Sequence, residues 1–210
     1  MWQSRSKEVK TKRRDIGREF QSAAEIVEYL GQQKFTAHNE YFEACAQLIQ
    51  KNGPFLVGVF RNQNLEDVFS MARECGLDFI QLHGSEDVES YLEFDANHEF
   101  GIIKRYVIPD HIELMREFFP SVTNTQKQGF LLPLLDSEAG GEGKKIDWSL
   151  INELDGKFLL AGGLDPENLH ETKPFLQNVI GFDVSGGVEN ANGDKNLDKI
   201  EAFIVNAKKL

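Results

Sequence analysis

Two pairs of glycines stand directly after short apolar runs in the C-terminal third of the chain. Gly162 and Gly163 follow the run KFLLA, and Gly186 and Gly187 follow GFDVS. Because glycine has no Cβ and accepts positive φ angles, such turns let backbone N–H groups approach an anion closely. A single glycine pair is usually only a turn, but two pairs after successive runs indicate a phosphate-binding site. The sequence therefore favours an enzyme that acts on a small phosphorylated metabolite.

Polar side chains mark the ends of other apolar runs. Gln81 and His83 end the run DFIQLH, Asp136 ends GFLLPLLD, and Asp183 lies within VIGFDVSGG. A carboxyl group at such a position can donate a proton near neutral pH if desolvation raises its pKa. An isolated aspartate at a strand end is also explained as the N-cap of the next helix.

Six apolar runs are predicted to be β-strands. They are nearly continuous rather than alternating with polar residues, as in parallel strands that are buried on both faces. Helical spacing of apolar residues lies between Asn64, which suits a helix N-cap, and Gly76, which suits a helix end. Two more helices are predicted ahead of the first strand, at 23–30 and 41–50. The predicted strands are 55–60, 78–83, 101–107, 129–136, 157–163 and 179–187.

The alternation of strands and helices predicts an α/β fold. Right-handed crossovers between parallel strands build either a barrel or a doubly wound sheet. In an α/β barrel the chemistry stands at the C-terminal ends of the strands, and phosphate commonly binds in the loops after the last two. Because no linker, repeat or low-complexity tract divides the chain, one domain is predicted over residues 1–210.

The composition argues against several classes of function. Lys and Arg number 23 and Asp and Glu number 34, so the net charge is −11 and a dedicated nucleic-acid surface is not expected. No apolar run reaches the roughly 18–20 residues of a membrane span, and the N-terminus lacks the apolar core of a secretory signal. The two cysteines fit the reducing cytoplasm rather than a disulfide-rich scaffold. The basic stretch KTKRR (10–14) is a nucleic-acid arm, a solvated loop or the source of an arginine that binds a substrate anion.

Five ordered motifs resemble phosphoribosylanthranilate isomerase, an enzyme family of tryptophan biosynthesis. The similarity runs from about residue 13 to residue 210. The resemblance implies a TIM (β/α)8 barrel, of which this chain would contain strands three to eight. The motifs are VGVFRNQ (57–63), QLHG (81–84), LLDSEAGG (134–141) followed by Asp147-Trp148, LAGGLDPEN (160–168) and GFDVSGGVE (181–189).

The resemblance implies a reaction that needs neither a cofactor nor a metal. It is the Amadori rearrangement of N-(5'-phosphoribosyl)anthranilate, which opens the ribose ring and gives 1-(2-carboxyphenylamino)-1-deoxyribulose 5-phosphate. An acid must protonate the ring oxygen, and a base must remove the C2 proton of the resulting imine. Asp136 matches the family's general acid. Arg14 resembles the arginine that pairs with the anthranilate carboxylate, although the neighbouring Arg13 leaves the register open by one residue.

The other matched residues belong to substrate binding. Asp183 is either an acceptor for the substrate or a structural hydrogen-bond partner. Gln81 and His83 match a motif that lines the pocket, and His83 is expected to be structural rather than catalytic. Lys104 and Arg105 either add positive potential to the cavity or cover packing surface. The residues that match the phosphate-binding turns are Gly162, Gly163, Ser185, Gly186 and Gly187.

The chain departs from the family on its N-terminal side. Family members begin with a strand that ends in Lys-Ile/Val-Cys-Gly, whose cysteine is the general base, and this sequence contains no such motif. Cys45 and Cys75 both lie in predicted helices, and a buried neutral thiol is a poor base. We therefore expect an N-terminally incomplete barrel of low stability, with unpaired edges and exposed aliphatic side chains in FLVGVF. Residues 15–54 are predicted to contain a helical insertion.

Two alternatives to an active isomerase stay open. One is a noncatalytic remnant of this barrel that binds phosphorylated ligands or a partner. The other is a different phosphate-binding barrel isomerase or synthase, which the DSEAGG and VGVFRNQ motifs fit less well. The expected partner is a small phosphorylated substrate, with no nucleic acid and no membrane. The sequence does not decide whether the chain is fused to, or associates with, other tryptophan-pathway enzymes.

Overall fold

The computed structural model describes residues 19–121, 131–137 and 146–210. These residues belong to two compact units. The first contains residues 19–105 and 131–132, and the second contains residues 106–121, 133–137 and 146–210. The single domain predicted over residues 1–210, with its helical insertion in 15–54, stays a prediction.

The first unit begins with two helices and continues with alternating strands and helices. Its strands are parallel and neighbour one another in chain order, β1–β2–β3. Phe79 of the middle strand is opposite Val57 on one side and Gly101 on the other. The elements are α1 (Ala23–Gly31), α2 (His38–Asn52), β1 (Val57–Phe60), α3 (Leu65–Cys75), β2 (Phe79–Leu82), α4 (Val88–Phe94) and β3 (Gly101–Ile108), the last of which ends in the second unit.

Local sequence accounts for the helix limits in this unit. The Asn64 side chain accepts hydrogen bonds from the N–H groups of Glu66 and Asp67, which caps α3 as predicted. Gly76 ends the same helix with φ 63°, in the left-handed region that glycine adopts without strain. The Ser22 hydroxyl caps α1 by accepting from the Glu25 N–H. The two helices predicted ahead of the first strand are confirmed, to within three residues at each end.

Aromatic and aliphatic side chains form the core of the first unit. Phe69 of α3 is fully buried, and its ring lies against the rings of Tyr91, Phe94 and Phe100. All four residues of β2 are buried, as the continuous apolar run predicted. In contrast, Val59 of β1 is 61% exposed, which confirms that aliphatic side chains of FLVGVF reach the surface.

The second unit repeats the parallel arrangement, in the order β4–β5–β6. The seven residues of β4 are all buried. A 3-10 helix rather than an α-helix connects β5 to β6, and it contains Pro174, which has no N–H to donate. Strand β4 belongs to this unit from Pro133 onward. The elements are α5 (Ile112–Ser121), β4 (Leu131–Ser137), α6 (Trp148–Ile151), β5 (Phe158–Leu160), a 3-10 helix (Leu169–Asn178), β6 (Val179–Phe182), a second 3-10 helix (Gly186–Val188) and α7 (Leu197–Ala207).

Parallel strands separated by helices confirm the predicted α/β class. Six strands occur in the described residues, at the positions of the six predicted apolar runs. The strand pairs within each unit join neighbours along the chain, a pattern that a barrel and a doubly wound sheet share. No helix among the described residues is long and apolar enough to cross a membrane.

Candidate active site

The candidate site of the second unit starts at the end of β4. Asp136 is the penultimate residue of this strand and is only 4% exposed. One of its carboxylate oxygens, Oδ1, accepts the Ser137 N–H at 2.8 Å. The same oxygen lies close to Gly162, because a Cβ built on that glycine would stand 3.1 Å from it. The predicted acid and the first glycine pair are therefore neighbours.

The second carboxyl group of the site is that of Asp183, directly after β6. Its backbone N–H donates to the Leu160 carbonyl at 2.8 Å, which fixes its place beside the end of β5. Burial raises the pKa of Asp183, the negative charge of Asp136 raises it further, and Lys195 lowers it. A carboxyl group with a raised pKa keeps its proton to higher pH than an exposed aspartate does, and we expect this of Asp183.

The two glycine turns are in contact. Gly162 and Gly163 have φ angles of 89° and 65°, which L-residues with side chains rarely adopt. Gly187 approaches the first turn so closely that a Cβ on it would lie 1.9 Å from the carbonyl oxygen of Leu164. Only glycine fits at position 187 without moving one of the turns. The sequence predicted two separate glycine pairs, and the structure brings them together beside Asp136.

Asn168 holds the first glycine turn in shape, a role that the sequence analysis did not assign. The residue is 7% exposed, and its Nδ2 donates to the Gly163 carbonyl at 2.8 Å. Its Oδ1 accepts the Asp165 N–H at 3.0 Å. The signal was present in the motif LAGGLDPEN, since Asp and Asn commonly bond to nearby backbone in turns.

Lys195 contacts the second turn and was also missed. Its Nζ donates to the Ser185 carbonyl at 2.9 Å, to the Ser185 hydroxyl at 3.1 Å and to Glu189 Oε1 at 2.6 Å. Glu189 and Lys195 also form an isolated antiparallel bridge. No local motif announces this lysine, because it lies ten residues beyond the serine that it contacts.

The remaining predicted site residues belong to other parts of the chain. Gln81 is a buried residue of β2 in the first unit, opposite Val59 and Ile103. His83 follows this strand, and its N–H donates to the Phe60 carbonyl at 2.8 Å. Arg14 lies outside the described residues. In the second unit, by contrast, Asp136, Asp183 and the two glycine turns are brought together.

Lys104, predicted either to add positive potential to the cavity or to cover packing surface, forms a buried ion pair. Its Nζ donates to the Gly84 carbonyl at 2.7 Å and to Glu86 Oε2 at 3.3 Å, and the exposed side-chain fractions of Lys104 and Glu86 are 9% and 3%. Glu86 also accepts the N–H groups of Asn62 and Gly84. Burial raises the pKa of Glu86, but these hydrogen bonds and the Lys104 charge outweigh it and lower that pKa. The cluster ties the segments that follow β1 and β2 to Lys104 in the middle of β3.

Neither cysteine lies at a strand end, as predicted. Cys45 is in α2 and only 1% exposed, and burial raises the pKa of its thiol far above the ordinary value. Cys75 is the last residue of α3. A thiol that remains protonated cannot remove a proton from carbon at neutral pH, so Cys45 is unsuited to be a base.

Comparisons with known proteins agree on one family. The family model described as N-(5'phosphoribosyl)anthranilate (PRA) isomerase matches residues 7–206. The N-(5'-phosphoribosyl)anthranilate isomerase of Candida albicans is 56% identical over 165 residues, which are 79% of this chain and 67% of that protein. The multifunctional tryptophan biosynthesis protein of Schizosaccharomyces pombe is 36% identical over 161 residues, which are 75% of this chain and 19% of that protein.

Solved structures show the same likeness. Phosphoribosyl anthranilate isomerase from Thermotoga maritima is 30% identical, with a TM-score of 0.57, and the match covers 80% of each chain. A phosphoribosyl anthranilate isomerase in complex with reduced 1-(o-carboxyphenylamino)-1-deoxyribulose 5-phosphate is 30% identical, with a TM-score of 0.55, and the match covers 80% of this chain and 79% of that one.

Proposed function

The chain belongs to the N-(5'-phosphoribosyl)anthranilate isomerase family, and we propose that Asp136 is the acid of this reaction in tryptophan biosynthesis. The reaction converts N-(5'-phosphoribosyl)anthranilate into 1-(2-carboxyphenylamino)-1-deoxyribulose 5-phosphate. The observation that carries the proposal is that buried Asp136 lies against Gly162. The glycine turn that contains Gly162 also lies against Gly187 of the second turn. A proton donor and two glycine turns suited to phosphate are thus built into one site.

Asp136 protonates the ring oxygen of the substrate, which opens the ribose ring to the imine. Its burial removes water that would otherwise compete for the proton and for the ring oxygen. The neighbouring Asp183 retains its own proton more readily than an exposed aspartate, because burial and the Asp136 charge raise the Asp183 pKa. Asp183 accepts a hydrogen bond from a sugar hydroxyl when it is ionised.

The substrate phosphate occupies the two glycine turns. Backbone N–H groups of such turns are donors that need no side-chain ordering, and they suit an anion with several acceptor oxygens. The phosphate then anchors the substrate, so binding energy orients the ring oxygen toward Asp136. The residues assigned to this role are Gly162, Gly163, Ser185, Gly186 and Gly187. From the family motifs alone we assign Arg14 to the anthranilate carboxylate, and Gln81 and His83 to the lining of the pocket.

No base is assigned, because neither cysteine is placed to act as one. Cys45 is buried in α2 and Cys75 ends α3. This placement favours a second candidate function, a noncatalytic protein that binds phosphorylated ligands through the same turns. We place the protein in the cytoplasm, since two free cysteines suit a reducing compartment.

An isomerase assay on the purified chain separates the two functions. Loss of the substrate's anthranilate-type fluorescence is followed with wild type, Asp136→Asn and the exposed control Asp110→Asn. Asp136→Asn is expected to lower the rate by about 10²–10⁴, as for loss of a general acid, while the control matches wild type. Binding of the reduced product analogue without any turnover would support the noncatalytic protein. Turnover that survives Asp136→Asn would refute the role of Asp136.

A further inference from the structure

The second glycine turn is held from outside by one ammonium group. Lys195 donates to both the carbonyl and the hydroxyl of Ser185, at 2.9 and 3.1 Å. The Val188 N–H reaches the same carbonyl at 3.4 Å. The direction of the Ser185 carbonyl is therefore fixed by two donors, one of which carries a positive charge.

Fixing this carbonyl also fixes the next N–H group. In a trans peptide the C=O and the following N–H point in opposite directions, because the peptide unit is planar. With the Ser185 carbonyl directed to Lys195, the Gly186 N–H points to the opposite side of the turn. Glycine at 186 would otherwise allow this peptide to rotate, since it has the widest choice of φ and ψ.

Lys195 is itself held in place. Its Nζ donates to Glu189 Oε1 at 2.6 Å, and Glu189 pairs with Lys195 through the antiparallel bridge. Lys199 fastens the same segment, because its Nζ donates to the Glu189 carbonyl at 2.7 Å. The loop between Glu189 and Lys195 is closed by the Asn190 N–H, which donates to the Asp194 carbonyl at 2.8 Å.

We propose that Lys195 is the positioning residue of the phosphate-binding turn, fixing the Ser185–Gly186 peptide so that the Gly186 N–H is presented to the substrate phosphate. Glu189 keeps the ammonium at the Ser185 carbonyl. The inference rests on the proposed function, because it takes Ser185–Gly187 as a phosphate-binding turn. Lys195 stands outside every glycine motif of the sequence, and it affects phosphate binding only through this peptide.

The test compares two ligands that differ only in the phosphate. Calorimetric titration measures the affinity for reduced 1-(o-carboxyphenylamino)-1-deoxyribulose 5-phosphate and for the same compound without its phosphate. Lys195→Met is expected to lower the affinity for the phosphorylated ligand by about tenfold, the effect of losing a charge-assisted hydrogen bond. The affinity for the ligand without phosphate is expected to stay unchanged. Lys195→Arg retains most of the affinity. Lys173→Met removes an exposed lysine elsewhere in the unit and serves as the matched control.

Glu189→Gln distinguishes positioning from direct contact. If Glu189 keeps the ammonium at Ser185, this variant also lowers the affinity for the phosphorylated ligand. If the ammonium instead touched the phosphate, its release from Glu189 would raise that affinity. A gain of affinity in Glu189→Gln, an unchanged affinity in Lys195→Met, or an equal loss for both ligands would each overturn the role of Lys195. Failure of wild type to bind the phosphorylated ligand would instead refute the proposed function.

Discussion

Gly162 belongs to the first glycine turn and lies close to Asp136 and Ser137 at the end of β4. Gly162→Ala is expected to destabilise the protein for two separate reasons. The residue has φ 89°, where an alanine costs about 1–2 kcal/mol relative to its preferred conformations. A Cβ there would also stand 2.9 Å from the Ser137 backbone nitrogen and 3.1 Å from Asp136 Oδ1.

Gly193→Ala is a matched control for the first of these reasons. Gly193 has nearly the same φ angle, 86°, but nothing lies within 4 Å of its Cβ position. Both variants carry the cost of the positive φ and the same entropic gain from replacing glycine, so these contributions cancel in a comparison. What remains is the steric contact at Gly162, where the nearest atom belongs to the backbone and cannot swing away. Such overpacking costs about 1–3 kcal/mol.

Thermal denaturation measures the difference. For a chain of this size one kcal/mol lowers Tm by about 2–4 °C, so Gly162→Ala should unfold roughly 2–12 °C below Gly193→Ala. Titration with the reduced product analogue should show a loss of affinity only for Gly162→Ala, because Asp136 must move. Equal melting temperatures for the two variants would refute the reasoning, since the contact with the end of β4 would then have no energetic weight.

Two further substitutions test buried charges. Lys104→Met leaves the Glu86 carboxylate buried without its cation and should lower the free energy of unfolding, measured by urea denaturation, by about 3–5 kcal/mol. Arg116→Met breaks only exposed ion pairs and should lower it by about 1 kcal/mol or less. Similar losses for the two variants would contradict the special weight of the buried pair. Asp183→Asn should raise Tm at pH 7. Burial and the Asp136 charge raise the Asp183 pKa in the native state above the ordinary 3.8, so the unfolded chain loses this proton first and the native state loses stability as pH rises from about 3.8 through the raised pKa. Asparagine has no proton to lose and avoids this cost. Melting curves from pH 4 to 8 check the sign, and a wild type that gains stability over this range relative to Asp183→Asn would contradict it.

Features determined by neighbouring residues were predictable from the sequence. The α3 helix begins at the Asn64 cap and ends at Gly76 because both signals act within one helical turn. The buried parallel strands followed from continuous apolar runs, and the joint position of Asp136 and the glycine turns followed from the rule that active sites stand at strand ends.

Features that depend on distant partners were not predictable. From the sequence, Lys104 either added positive potential to the cavity or covered packing surface. Its pairing with Glu86 was not predictable because the two residues are 18 positions apart in the chain. Lys195 was missed because its contact with Ser185 exists only after the segment between them has folded into a turn. Pairing of charges across loops has no periodic signature, so only the three-dimensional arrangement shows it.

The cluster of Asn62, Gly84, Glu86 and Lys104 has a consequence for how this family can change over evolutionary time. Glu86 receives hydrogen bonds from the ends of two strands and an ion pair from a third. Replacing Lys104 or Glu86 alone leaves the other charge buried without its counter-charge, whereas replacing both by apolar residues is often neutral. Relatives should therefore keep both positions or lose them together. The segments that follow β1 and β2 both depend on this ion pair through their backbone N–H groups, so neither is expected to change independently of the other.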